Sequence, residues 1–260
     1  MAAANIIVWG EAGVGKSTLI NDLLGHRAAA VGDGSSAAGV TKALTGYLGN
    51  VNGIPVKLWD MPGHGDHDIS PWEVLTVLAL TFRDLKVDGI LILTKDKLRV
   101  NTGPRMVAKL LDMSFTASDK WSAMALIGTM AESWTQREKT NFGSTVLASF
   151  NAKVQGNVTR VAVTSTQSRQ DVIDVISQLA RGSGVGSMTL PDVRAVARMT
   201  LEEQGVSPDE IDAEMDQQVR EMNKQYADLV AKFEDMKRQP APTTSFHGFQ
   251  LGPIKIGVWK

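Results

Sequence analysis

The sequence predicts a three-layer α/β fold built on a mostly parallel sheet and followed by a helical extension. Short apolar segments alternate with segments of helical periodicity, which is typical of consecutive βα units. The glycine-rich segment GEAGVGKS, at residues 10–17, joins the first apolar segment to the first helix. A second motif, DMPG at residues 60–63, directly follows another apolar segment. Together they predict a P-loop NTPase domain of the G-domain type.

Residues 10–17 fit the phosphate-binding pattern G-x-x-x-x-G-K-[ST]. With a strand before it and a helix after it, such a loop directs backbone N–H groups to one spot at the positive end of a helix dipole. We expect Lys16 to reach the β- and γ-phosphates, where it would act in catalysis by stabilising charge, and Ser17 to bind Mg²⁺. The predicted nucleotide-binding residues in this segment are Gly10, Glu11, Ala12, Gly13, Val14, Gly15, Lys16, Ser17 and Thr18.

The overall composition is that of an ordinary globular protein. Of the 260 residues, 43% are hydrophobic and 21% are charged, and the formal net charge is −1. This balance gives no indication of a nucleic-acid partner or of an anionic membrane surface. The absence of cysteine excludes a disulfide framework, a thiolate zinc site and a cysteine nucleophile. The N-terminal segment lacks the basic region of a signal peptide and no apolar segment has membrane-spanning length, so we expect a cytoplasmic protein.

The segment after the first helix is predicted to be a loop that responds to the nucleotide. Residues 25–40 are rich in Gly, Ala and Ser, which indicates either a first switch loop or a solvated linker. At the end of this segment, Thr41 is predicted to bind Mg²⁺ through its hydroxyl and the γ-phosphate through its backbone N–H. Ser35, Ser36 and Thr45 are nearby alternatives for that role.

The DMPG motif is predicted to be the second nucleotide-reading loop. Asp60 would hold Mg²⁺ through water, and the N–H of Gly63 would sense the γ-phosphate. His64 follows directly, and the segment DMPGHGDHD resembles the DCPGH box of translation-factor GTPases. His64 is therefore a candidate to orient the attacking water, the alternative being an exposed loop histidine.

The segment TMAES, at residues 129–133, occupies the slot where GTPases keep the guanine-reading box [NT]-K-x-D. Thr129 takes the first position and Glu132 the last, where a carboxylate accepts the N1 and N2 protons of guanine. Alternatively, Glu132 only begins the next helix and reads no base. Trp134 would either stack on the base or pack inside the domain, and Ser165 lies in the predicted loop behind the base.

The chain is predicted to divide into a GTPase domain at residues 1–185 and a helical extension at residues 186–260. The boundary is set by GSGVGS, at residues 182–187, which indicates a flexible joint. Residues 208–239 carry an apolar stripe with heptad spacing, which would pack on the rest of the chain or, alternatively, form a coiled coil with a helical partner. The apolar tail at residues 243–260 is predicted to add a strand or hairpin to the domain.

These motifs together resemble those of the septin-related GTPases, which include the immunity-associated GTPases and the chloroplast outer-envelope import receptors. The resemblance extends past the P-loop, where the matching positions are Lys16, Ser17, Asn21, Leu23, Leu24 and Gly25. It implies GTP binding, slow intrinsic hydrolysis and nucleotide-dependent dimerisation across the nucleotide faces. The histidine after Gly63 and the degenerate base box depart from the pattern of that group.

We therefore expect Mg²⁺-dependent binding and slow hydrolysis of GTP, used as a switch or in self-assembly. The expected partners are a guanine nucleotide and a second copy of the chain, with no nucleic acid. Two alternatives remain open. Because the base box is degenerate, the chain could be a nucleotide-binding scaffold that does not turn over, and because the box lacks its lysine, it could be a P-loop ATPase.

Overall fold

The computed structural model describes residues 2–31, 43–61, 71–97, 102–115, 117–165, 169–203, 205–238, 246–251 and 254–259. The strands are β1 Ala4–Gly10, β2 Ala43–Val51, β3 Ile54–Asp60, β4 Gly89–Thr94, β5 Met124–Gly128, β6 Arg160–Val163, β7 Phe246–Leu251 and β8 Ile254–Trp259. They form one sheet in the order β6-β5-β4-β1-β3-β2-β8-β7. Neighbouring strands run parallel except in the β2–β3 and β7–β8 pairs, so the predicted mostly parallel sheet is confirmed.

The helices are α1 Lys16–Leu24, α2 Pro71–Phe82, α3 Thr102–Ser114, α4 Gln136–Asn141, α5 Leu147–Val154, α6 Gln170–Arg181, α7 Val193–Glu203 and α8 Pro208–Arg238. A π-helical segment, Phe142–Val146, joins α4 to α5. Among the helices of the described residues, none combines the length and apolar character needed to cross a bilayer.

Helices cover both faces of the sheet, as a three-layer fold requires. Helices α1 and α6 pack on one face in a cluster with Ile6 and Val8 of β1. Helices α2, α3 and α5 pack on the other face, with Ile7 and Trp9. Because β1 presents alternate residues to two buried layers, almost all of it is buried, which explains why it forms one continuous apolar run in the sequence.

The extension closes over the outside of α2. Met215, Met222 and Leu229 of α8 belong to the same buried cluster as the sheet and α2. The Trp72 indole Nε1 of α2 donates a hydrogen bond of 2.7 Å to the backbone oxygen of Met222. Helix α2 therefore lies between the sheet and α8. The apolar stripe is predicted either to pack on the rest of the chain or to form a coiled coil with a partner, and for these three residues the structure shows packing on the rest of the chain.

Backbone hydrogen bonds connect the glycine-rich segment, residues 182–187, to Val87 in the core of the domain. The N–H of Val87 donates to the Gly186 oxygen over 2.8 Å, and the N–H of Val185 donates back to the Val87 oxygen over 2.9 Å. Gly184 and Gly186 have φ values of 68° and 79°, the left-handed region that favours glycine. The glycines at this predicted joint thus allow a tight turn, with Val185 and Met188 buried on either side of Gly186.

The C-terminal tail forms the predicted hairpin on the sheet. Strand β8 runs parallel to β2, with Ala43 opposite Lys255, and β7 pairs antiparallel with β8. The hairpin covers the backbone edge of β2, which would otherwise be open to another strand.

Candidate nucleotide-binding site

The P-loop takes its shape from three of its glycines. Gly13 and Gly15 have φ values of 71° and 90°, which residues with a Cβ rarely adopt. A Cβ added at Gly10 would lie 2.8 Å from Val14 Cγ1 and 2.9 Å from the Leu93 oxygen. The glycine spacing is therefore needed both for the left-handed turns and for the close passage of the loop against β4.

Lys16 begins α1 and folds back over the start of the loop. Its Nζ donates to the backbone oxygens of Gly10 at 3.1 Å and Glu11 at 2.9 Å. The residue is only 6% exposed. This places a buried ammonium group beside the loop, where a phosphate chain would meet both the charge and the N-terminal end of α1.

The two predicted metal ligands that the structure describes lie in direct contact. The Ser17 hydroxyl donates a hydrogen bond of 2.8 Å to Asp60 Oδ2, and Asp60 is 1% exposed at the end of β3. Mg²⁺ is usually bound by one or two protein oxygens together with waters and substrate phosphates, and this hydroxyl–carboxylate pair fits that donor set. Within the described residues there is no cluster of three or more His, Cys, Asp or Glu side chains that could hold a metal alone.

Strand β2 surrounds Asp60 with two further polar side chains. Thr45 stands directly opposite Asp60 in the antiparallel register and is 4% exposed. Burial and, to a lesser extent, the negative charge of Asp60 raise the pKa of Tyr47 to about 12, against the opposing effect of a hydrogen bond with Thr45. Tyr47 thus stays neutral near pH 7 and leaves the carboxylate as the anionic group of this corner. The sequence motifs do not indicate Tyr47 as part of the site, although its two-residue spacing from Thr45 puts both on one strand face.

Asn21 of α1 fixes the start of the segment that leads to the predicted first switch loop. Its side-chain oxygen accepts from the N–H groups of Ala28 and Ala29 over 2.8 Å and 2.7 Å, and its amide nitrogen donates to the Ala29 oxygen over 2.9 Å. This gives a physical role to an asparagine that only the family resemblance singles out in the sequence.

Thr129 braces the P-loop from the predicted base box. Its hydroxyl lies 2.8 Å from the Val14 oxygen and 3.3 Å from the Thr94 oxygen, and its N–H donates to the Thr94 oxygen over 2.9 Å. With 3% exposure, Thr129 connects the loop after β1 to the ends of β4 and β5. A contact between Thr129 and the nucleotide stays a prediction.

A cavity of about 230 Å³ lies between the P-loop and the base box. It brings together the predicted residues Gly15, Thr18, Thr129, Glu132 and Ser165. Its other lining residues, which the sequence motifs do not indicate, are Leu19, Asp22, Met130 and Thr164. The charged side chains in this lining are carboxylates, so the cavity favours a ligand that presents N–H donors.

Trp134 packs inside the domain. It is 7% exposed, and its ring centroid lies 5.3 Å from that of Phe142. A Cβ at Gly128 would come within 2.8 Å of the indole, so the glycine at the end of β5 makes room for it. Of the two alternatives for Trp134, the structure favours packing over stacking on a base.

Three predicted site residues, Thr41, Gly63 and His64, lie outside the described residues and stay predictions. The remaining P-loop positions are described. The backbone oxygens of Glu11 and Val14 accept hydrogen bonds from Lys16 and Thr129, and Ala12 is half-buried at the turn.

Comparison with known proteins agrees with this geometry. Residues 5–123 match the family model described as 50S ribosome-binding GTPase, a match that includes the P-loop and Asp60 and ends before the base box. No curated protein matches the chain.

Among solved structures, the chain resembles Toc33 from Arabidopsis thaliana. The complex of Toc33 with GDP and Mg²⁺ has 16% identity and a TM-score of 0.56, covering 73% of this chain and 88% of that one. The complex with Mg²⁺ and GMPPNP has 15% identity, with the same TM-score and coverage. At sequence identities this low, the structural similarity shows a shared fold and nothing further. The chain therefore has the fold of a P-loop GTPase domain.

Proposed function

We propose that this P-loop GTPase fold binds guanine nucleotides with Mg²⁺ and hydrolyses GTP slowly. The observation that carries the proposal is the contact of Ser17 with the buried Asp60 beside the P-loop. It puts a hydroxyl and a carboxylate at the carboxyl ends of β1 and β3, the edge of an open α/β sheet where ligands bind. The cavity between the P-loop and the base box, here called the base cavity, adjoins the phosphate-binding loop and would receive the base.

The P-loop residues would divide the work on the phosphates. Ser17 and Asp60 would hold Mg²⁺, which when bound neutralises charge on the β- and γ-phosphate oxygens. Lys16 would exchange its contacts with loop oxygens for phosphate oxygens and stabilise charge on the β–γ bridge. The backbone N–H groups of the loop and of the start of α1 would orient the phosphate chain.

The choice of guanine is supported by the acidic lining of the base cavity. Glu132 is exposed at the cavity, and Asp22 of α1 also lines it. Guanine presents the N1 proton and the N2 amino group on one edge, and a carboxylate accepts both. The shared fold with Toc33, which was crystallised with GDP and with GMPPNP, agrees with this choice.

We also propose that the chain associates with a second copy across its nucleotide face. The proposal is supported by the chloroplast translocon components atToc33 and psToc159, in which dimerization is important for the GTPase activity. The solved structure in question has 14% identity to this chain and a TM-score of 0.55. We propose as well that the chain belongs to the septin-related branch of GTPases. In that proposal Thr41 and Gly63 contact the γ-phosphate of the bound GTP.

A titration of nucleotide-stripped protein with labelled GTP, GDP and ATP, with and without Mg²⁺, tests the proposed function. We expect guanine nucleotides to bind at least tenfold more tightly than ATP and Mg²⁺ to strengthen GTP binding. Glu132→Gln should reduce that preference, because the amide offers one acceptor oxygen in place of two. Glu202→Gln, at an exposed position on α7, is the matched control. Preference for ATP, or equal binding, would contradict the assignment.

His64→Ala is expected to slow GTP hydrolysis at least tenfold and to leave nucleotide affinity unchanged, by analogy with residues that orient the attacking water. Single-turnover phosphate release measures the rate, and a parallel titration measures the affinity. His67→Ala, three residues further along the sequence, is the control and should keep the wild-type rate. An unchanged rate in His64→Ala would remove this residue from the mechanism.

A further inference from the structure

Met130 is more exposed than the other methionines whose burial the structure describes. It is 49% exposed at the base cavity. Six of the other methionines that the structure describes are at most 9% exposed, and these are Met61, Met124, Met188, Met199, Met215 and Met222. Met113 is partly buried against the core. Leu19, which also lines the cavity, is 3% exposed, so Met130 offers a ligand in this cavity far more apolar surface than Leu19 does.

The backbone holds Met130 in place over the P-loop. Its φ and ψ are 55° and 39°, the left-handed region that residues with a Cβ rarely adopt. The N–H of Thr129 donates to Thr94, and that of Ala131 to Thr164, so hydrogen bonds on both sides fix this conformation. The Met130 methyl carbon lies 3.7 Å from the position of a Cβ on Gly15. The Met130 methyl group of the base box thereby lies close to Gly15, the last glycine of the P-loop.

The chemistry of the cavity gives the thioether a defined function. The carboxylates of Asp22 and Glu132 can accept hydrogen bonds from the edge of a base, but they do not satisfy its face. A polarizable thioether packs favourably against an aromatic ring. We propose that Met130 packs on the face of the bound base and that its oxidation to the sulfoxide weakens nucleotide binding. This inference rests on the proposed function, in which the base occupies this cavity.

The oxidation is a transfer of one oxygen atom from a peroxide. The sulfur lone pair attacks the peroxide, an S–O bond forms as the O–O bond breaks, and hydrogen peroxide leaves as water. The thioether is oxidised and the peroxide is reduced. Because the chain has no cysteine, no thiol competes for the oxidant. The polar sulfoxide would lose hydration against the face of the base, so the oxidised protein should bind the nucleotide less tightly.

The test uses the full chain and limited hydrogen peroxide, with and without saturating GDP and Mg²⁺. Peptide mass spectrometry measures oxidation at each methionine. We expect Met130 to be oxidised before the other described methionines and at least threefold more slowly when GDP is bound. The affinity for GDP, measured after peroxide is removed, should fall at least fivefold and should recover after treatment with methionine sulfoxide reductases.

Two variants separate packing from oxidation. Met130→Leu keeps an apolar side chain that peroxide does not oxidise, so the GDP affinity of this variant, measured first without treatment, should not fall after treatment with peroxide. Met113→Leu, the matched control on α3, should lose affinity on oxidation as the wild type does. Loss of affinity in oxidised Met130→Leu, or equal oxidation of Met130 with and without bound GDP, would overturn the inference. If the untreated wild type binds no GDP, the proposed function itself fails, and the inference fails with it.

Discussion

Lys16→Ala is expected to lower the affinity for GTP and GDP by about a hundredfold or more, which would make binding undetectable at micromolar protein. The reason is that Lys16 is the ammonium group of the P-loop, and a charge-assisted hydrogen bond is worth about 1.5–3 kcal/mol. With contacts to two phosphates, the loss would be roughly 3–6 kcal/mol. A fluorescence titration with a labelled guanine nucleotide measures the change.

The variant should stay folded, because the hydrogen bonds of Lys16 to the backbone oxygens of Gly10 and Glu11 lie within the P-loop segment and do not join separate elements of the core. Lys57→Ala is the matched control. Lys57 lies on β3 with its ammonium 4.1 Å from the Trp59 ring, and burial lowers its pKa. That variant should bind nucleotide normally. Wild-type affinity in folded Lys16→Ala would contradict the assignment of the P-loop.

The P-loop and the Ser17–Asp60 pair were predictable from the sequence because their determinants are local. The left-handed glycines and the lysine that begins α1 all lie within one short segment. Asp60 lies far from Ser17 along the chain, yet β1 and β3 are parallel neighbours whose carboxyl ends meet at one edge. One topological rule was therefore enough to bring the two residues together.

The base cavity could be predicted only in part. The guanine-reading box indicates Glu132 through its last position. Asp22 of α1 also lines the cavity, but no sequence motif connects it to Glu132. The left-handed backbone of Met130 also leaves no signal in the sequence, since it is imposed by hydrogen bonds to Thr94 and Thr164. Sequence patterns do not predict the positions of such side chains, because contacts between distant parts of the chain place them.

The sequence alone does not decide what α8 packs against, for a different reason. An apolar stripe with heptad spacing has the same pattern whether its partner is another helix of the chain or another molecule. The deciding signal is in α2, whose sequence PWEVLTVLALTF is apolar on nearly every side. A helix with that pattern must be covered on its outer face as well as against the sheet, which makes α8 its partner.

Truncation after Arg181 is expected to give an insoluble or unfolded fragment, although the predicted boundary at residue 185 would allow the first domain to fold alone. The cut removes Met215, Met222 and Leu229 from the cluster that covers α2. Each buried side chain of this size contributes about 1.5–3 kcal/mol, and net stability is about 5–15 kcal/mol for a whole domain. Expression, size-exclusion chromatography and nucleotide binding of the fragment measure the outcome.

A point substitution makes the same test in the full chain. Met222→Ala should lower the free energy of unfolding by about 2–5 kcal/mol, because the side chain is 2% exposed and leaves a cavity against α2. Asn223→Ala, at the exposed neighbouring position, should change it by less than about 0.5 kcal/mol. Urea unfolding monitored by tryptophan fluorescence gives both values.

The outcome also bears on the nucleotide site, since α2 begins at Pro71, a short distance along the chain after the DMPG segment at residues 60–63. If α8 stabilises α2, Met222→Ala should weaken GTP binding more than GDP binding, because the segment before α2 is the one predicted to contact the γ-phosphate. Equal effects on both nucleotides would mean that α8 stabilises the fold without reaching the site. A soluble fragment cut after Arg181 that binds nucleotide like the full chain would instead make the extension a separate unit.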